Sequence, residues 1–227
     1  MKYMLIAALG LAGLGCAKVP GGGGVAGSTR LVFRMEVARE IRPGYIYMVA
    51  VRPSTDLNPP EQGPIPVIAP PWGNGFVAGT VTHFVMWADT QSPRYLIYQF
   101  RPGTNLIEYF AIGSPINFID VNPGEKVLRF EMDLTQVAPD VATAATYQSV
   151  QLNFLTMDRI PQGTTGTKNW DALGDSRLPT EVNSPITIPL RTSGIYDNAR
   201  FQNLEVPADV ADPDLDIVDW SVEVRRQ

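Results

Sequence analysis

The sequence predicts an all-β fold, an antiparallel two-sheet β-sandwich with long Pro/Gly-rich loops and little helix, and three observations lead there. Twenty Gly and 20 Pro disrupt helix interiors and suit turns between short strands. The first and last apolar runs of the main part of the chain alternate with period 2, which is the mark of half-buried strands. Turn signals such as Arg42-Pro43-Gly44, Arg101-Pro102-Gly103 and Asn122-Pro123-Gly124 separate the apolar runs at short intervals.

Residues 31–38 (LVFRMEVA) place Leu31, Phe33, Met35 and Val37 on one face and Arg34 and Glu36 on the other. Residues 45–52 (YIYMVAVR) follow the first turn with aromatic and branched side chains on both faces, as a central strand requires, and the two runs are expected to form a hairpin. Across 53–75, seven prolines and Gly63, Gly73 and Gly75 predict a stiffened loop with no regular ladder. Strand patterns return at 81–87, 94–100, 106–111 and 126–132 as an antiparallel meander. Residues 134–137 and 141–145 are expected to make no more than a helical turn, 147–157 (YQSVQLNFLTM) reads as a strand, and 158–185 reads as a polar loop. The closing run, 215–225 (LDIVDWSVEVR), puts Val218, Trp220, Val222 and Val224 on one face. No repeat or composition break divides 29–227, so a single domain is expected there.

Composition narrows the chemistry. With 44% apolar residues the chain can bury a substantial core. A formal charge of −5 opposes phosphate neutralisation and argues against nucleic acid as a partner. Cys16 is the only cysteine and His83 the only histidine, which excludes an intramolecular disulfide, a Cys zinc cluster and a His-rich metal site. P-loop and Gly-x-Ser-x-Gly motifs are absent from the sequence, and the GxGxxG spacing of Gly22, Gly24 and Gly27 lies in a Gly-rich segment that precedes the first strand, where a phosphate loop would have to follow one.

At the N-terminus, Lys2 precedes the apolar run 4–14 (MLIAALGLAGL), which has the length of a signal-peptide core and is too short to span a bilayer. It ends in Gly15-Cys16 and so resembles the signal of bacterial lipoproteins, although Gly13 stands where that family usually carries Leu. The resemblance implies cleavage before Cys16, lipidation of Cys16 and display outside the cytoplasm, at the outer membrane or cell surface. Residues 1–15 are then the signal, 16–28 a flexible Gly-rich tether, and 29–227 the folded domain.

The runs Tyr45-Ile46-Tyr47-Met48-Val49-Ala50-Val51 and Asp216-Ile217-Val218-Asp219-Trp220 resemble strands of the DOMON-like sandwiches, a group that includes family 9 carbohydrate-binding modules. That resemblance implies a jelly-roll or DOMON-like sandwich and, by analogy, sugar or haem ligands. A haem pair of His83 with Met48 or Met86 is conceivable by this analogy. Met86, however, points to the opposite face of the strand that carries His83.

Two segments stand out as candidate sites. Trp72, Asn74 and Phe76 lie in the proline-stiffened loop, where a presented aromatic would bind a sugar or a protein partner at low entropy cost, and Trp170 sits in the second loop. The alternative for Trp72 is a plug folded over the end of the sandwich. The run Asp209, Asp212, Asp214, Asp216 and Asp219 resembles an oxygen-rich calcium loop, yet Ile217 occupies the position where an EF-hand needs Gly and Glu223 lies on a strand. The alternative is a solvated acidic loop. His83 shares a strand face with Val81, Val85 and Trp87, as a core or interface histidine would. Without a catalytic set, the expectation is a non-enzymatic binding or assembly module of the bacterial cell envelope, with a membrane anchor and an envelope protein or glycan as partner. The alternative is a carbohydrate-binding or carbohydrate-cleaving lipoprotein. The two differ in what they should display: a Trp-lined groove for sugar, or an apolar patch or open sheet edge for assembly.

Overall fold

A computed structural model describes residues 28–70, 72–161, 166–174, 185–201 and 204–226. The expected signal, Cys16 and the Gly-rich tether as far as Gly27 lie outside the described residues, whereas Ser28, expected as the end of the tether, is buried against the domain. Fourteen strands form in chain order: β1 (Thr29–Val37), β2 (Ile46–Ser54), β3 (Pro64–Pro66), β4 (Val77–Gly79), β5 (His83–Trp87), β6 (Tyr95–Phe100), β7 (Tyr109–Gly113), β8 (Asn117–Ile119), β9 (Val127–Asp133), β10 (Ser149–Met157), β11 (Trp170–Ala172), β12 (Ile186–Pro189), β13 (Gly194–Asp197) and β14 (Ile217–Arg226). Among the described residues helix is confined to a 3-10 turn at Leu134–Val137 and to α1 (Val141–Thr146), each begun by an aspartate side chain that accepts a backbone N–H of the first turn. The fold is all-β and sandwich-like.

The first sheet has the order β13-β14-β1-β9-β8, and the second has β11-β10-β2-β5-β6-β7 with β12 also on β10. The expected β1–β2 hairpin does not form, because the two strands belong to different sheets. The cause is local. Past β1 the chain keeps bonding within its own layer, Ala38 N–H to Asp216 O, Arg39 N–H to Pro213 O and Ile41 N–H to Glu125 O, before Arg42-Pro43-Gly44 carries it across to the other sheet. The meander holds for β5, β6 and β7, whereas β9 lies in the first sheet. Asn105 and Leu106 adopt positive φ, so the turn runs on to Leu106 and the next strand starts at Tyr109.

Leu31, Phe33, Met35 and Val37 face inward as their alternation predicts, and they meet Val49, Val85, Ile97, Leu152 and Phe154 of the second sheet. Phe33 stacks on Phe130 within its sheet at 4.9 Å and meets the edge of Phe154 across the core at 6.3 Å. Beyond the second sheet lies another apolar layer, built from Met48, Ala50, Phe84, Phe100, Leu155 and Met157 and covered by Phe76, Val77 and Val81. The proline-rich segment is therefore a lid. It contains one short ladder, against expectation: β3 pairs with β4 through Pro64↔Gly79, Ile65↔Ala78 and Pro66↔Val77.

Prolines and irregular turns leave backbone carbonyls in the lid without ladder partners, and buried side chains of β10 supply the missing donors. Ser149 Oγ donates to Asp56 O at 2.6 Å, and Gln151 Nε2 donates to Glu61 O at 3.1 Å. Asn153 Nδ2 reaches toward Pro64 O. This is why a strand buried along its whole length carries polar residues on one face.

Candidate functional site

Three surface regions bear on function, and the aromatic loop is the first. Asn74 Oδ1 accepts the N–H groups of Phe76 and Val77 at 3.0 and 2.9 Å, an Asx-type turn that shapes the loop. Phe76 is fully buried against Phe84 and Phe100. Trp72 is 6% exposed, its Nε1–H donates to Gly166 O, and Lys168 Nζ lies 5.0 Å from its ring centroid. Lys168 also donates to Gly75 O at 2.7 Å, and burial pulls its amine down to about 8. Trp170, on β11, is half-buried against the outer apolar layer. Trp72, Asn74, Phe76 and Trp170 thus sit in or beside the lid as packing and turn residues, and the rings of Trp72 and Phe76 present no open face for stacking.

The acidic run divides in two. Asp214 accepts Arg39 Nε at 2.8 Å and Arg39 Nη2 at 2.6 Å, with Arg42 3.6 Å away, and Arg39 holds its carboxyl below the usual range. Asp212 accepts the Tyr45 hydroxyl at 2.7 Å and the Asp214 N–H at 3.0 Å. Both are engaged by this local network. Asp219 pairs with Arg34 at 2.5 Å on the outer face of the first sheet.

Asp209 and Asp216 turn to another side and meet Asp171 of β11, and one carboxylate oxygen from each of the three lies within 4.8 Å of the others. Asp171 is fully buried, accepting Ile217 N–H at 2.7 Å on one oxygen and Ala172 N–H at 2.8 Å on the other. Asp216 accepts Ala208 N–H on both oxygens at 3.0 Å. Glu205 is 1% exposed, its backbone is clasped by Asn198 through bonds of 2.8 and 2.9 Å, and its charge interacts most strongly with these three aspartates. Burial first and the neighbouring carboxylates second raise the carboxyls of Asp171 and Glu205 far above the ordinary range, and burial raises Asp216. Sequence reading missed Asp171 and Glu205, since a lone acid in a polar stretch carries no sign of burial.

The third region is the edge where both sheets end. Among the described residues β7 pairs only with β6, and β8 only with β9. Every residue of β7 is exposed. Ile107 is 68% exposed, Phe110 46% and Ile119 56%, with Ile112 and Ile116 exposed between them. From Tyr109 to Ile119 (YFAIGSPINFI) there is no charged residue.

Two clefts of about 550 and 510 Å³ open at the ends of the sandwich, one beside Leu134, Tyr147 and Arg226 and the other beside His83, Phe100 and Tyr147. Among the described residues neither is lined by a carboxylate. His83 is buried with Nδ1 2.9 Å from Thr82 Oγ1, and burial lowers its imidazole to about 4, so it is neutral at pH 7. No family model, curated protein or solved structure matches the chain.

Proposed function

We propose that the chain is a membrane-tethered, non-enzymatic assembly module of the bacterial cell envelope that pairs with a second copy of itself along the β7–β8 edge. One observation carries this reading: an open, two-sheet edge that is apolar and free of charge from Tyr109 to Ile119. Monomeric β proteins guard such edges with charges, prolines or bulges, because unpaired N–H and C=O groups recruit other strands; here Pro115 lies between β7 and β8 and the β6–β7 register shifts at Ile97/Tyr98, but neither edge strand carries a charge or a proline of its own. A twofold pairing of identical edges satisfies those groups and covers the exposed isoleucines on both copies, and with no charges in the strip there is no repulsion to oppose it. A foreign envelope strand is the competing occupant.

The test uses the full chain carrying Cys16→Ser, so that an acyl group cannot itself drive association. Sedimentation velocity should give a concentration-dependent dimer, and Ile112→Lys should weaken it by roughly tenfold or more, since the twofold sets two lysines into one apolar contact. A wild-type edge that stays monomeric at the highest attainable concentration rejects self-pairing. The tether rests on the signal-like residues 1–15 and on Cys16. Cys16→Ser should abolish lipid labelling and move the protein to the soluble fraction, whereas retention in the membrane fraction rejects the anchor.

A further inference from the structure

We propose that Asp171, Glu205, Asp209 and Asp216 bind a calcium ion that clamps residues 204–216 onto the side of the sandwich where β14 and β11 lie. This side is opposite the β7–β8 edge, and the proposal is independent of self-pairing.

Three carboxylates converge from two distant parts of the chain, with ligand oxygens within 4.8 Å of one another. A calcium ion holds oxygens at about 2.3 to 2.6 Å and so can be shared by pairs up to about 5 Å apart. The group offers carboxylate oxygens alone, hard donors that favour calcium over zinc or copper.

Glu205 supplies the independent observation. It is 99% removed from solvent, and neither carboxyl oxygen meets a donor at bonding geometry among the described residues, the adjacent Val206 N–H exerting only the weakest pull on it. A carboxyl buried without partners carries a desolvation cost that a bound cation removes. Its strongest charge interactions are with Asp171, Asp209 and Asp216, so its carboxyl stands near theirs. Among the described residues no Lys or Arg forms an ion pair with Asp171, Glu205 or Asp216, and Arg39 and Arg42 are turned to Asp214.

The centre is also pre-organised. Asp171 is fixed by Ile217 and Ala172 N–H groups, and Asp216 by Ala208 N–H, so their remaining lone pairs are set before an ion arrives.

The experiment is a calcium chloride titration of the full chain after EDTA treatment, read by calorimetry and by thermal melting, with magnesium chloride as comparison. The expected result is saturable binding of one calcium and a rise in Tm of roughly 5 to 10 °C at calcium about a hundredfold above its Kd. Glu205→Gln should melt no lower than wild type in EDTA, because a neutral amide replaces an uncompensated acid, yet should lose most of the calcium-dependent rise. Terbium chloride luminescence, excited through Trp170 beside Asp171, should appear in wild type and fall in Asp171→Asn. If a variant fails to fold, the wild-type titration alone still decides. Absence of saturable calcium binding by EDTA-treated wild type would mean that the four carboxyls merely share protons, and overturns the site. So does calcium binding that is unchanged in both variants.

Discussion

Lys168 Nζ lies 5.0 Å over the ring of Trp72 while donating to Gly75 O, so one buried amine pins both ends of the turn that carries the aromatic. Trp72 is thereby part of the lid. Trp72→Ala should cost about 3 to 5 kcal/mol, the range for deleting a large buried aromatic. The urea midpoint of the mutant measures this, and a change below about 1 kcal/mol would return Trp72 to the role of an exposed contact residue.

The lid also depends on a glycine. Gly79 has φ +77, and a Cβ there would stand 2.3 Å from the Gly63 carbonyl oxygen, closer than any real contact. Gly79→Ala should therefore destabilise by about 2 kcal/mol or more, through left-handed strain and displacement of the 62–63 backbone. Equal midpoints for mutant and wild type would contradict this packing.

Gln151 joins lid to sheet, accepting Arg52 Nη1 at 2.6 Å and donating to Glu61 O at 3.1 Å. Gln151→Leu leaves these partners unsatisfied in a confined space, at an expected cost of about 1 to 3 kcal/mol. Limited proteolysis should then cut within residues 55–63 faster than in wild type, while the rest of the domain keeps its resistance.

His83 sets a pH dependence. Its folded-state value of about 4 lies below the unfolded value of 6.5, so its stabilising contribution is complete above pH 6.5 and is lost as pH falls from 6.5 toward 4. The loss should reach on the order of 3 kcal/mol. The difference in urea midpoint between wild type and His83→Gln should track that window, and a difference independent of pH from 7 to 4 would show that His83 charges freely in the fold.

Burial of individual strands was legible in the sequence, and their partners were not. Alternation at Leu31, Phe33, Met35 and Val37 reports that one face is covered but carries no information on which strand lies alongside, which is how β1 and β2 came to be expected as a hairpin. The two-faced apolar pattern of residues 45–52 correctly implied a strand covered on both sides. It also held the only sign of the outer layer, since Met48 and Ala50 need a cover as much as Val49 and Val51 do. β8 and β11–β13 have three or four residues each, too few for a period to show. The acidic run was visible as a run, but Asp212 and Asp214 are drawn off by Tyr45 and Arg39, whereas Asp171 arrives from a strand about forty residues earlier. Only the folded chain brings that group together.

The antiparallel register of β1 with β14, from Thr29↔Arg226 to Val37↔Ile217, sets the order of events during folding. β1 lies between β14 and β9 in its sheet, so one whole side of it waits for Ile217–Arg226. Closure over such a sequence separation is slow compared with local pairing. A chain still emerging from its ribosome can therefore build the β5–β6–β7 meander but not the complete first sheet. Loss of the final dozen residues would strip an inward row of Trp220, Val222 and Val224 from the main core and leave β1 as a new, unguarded edge.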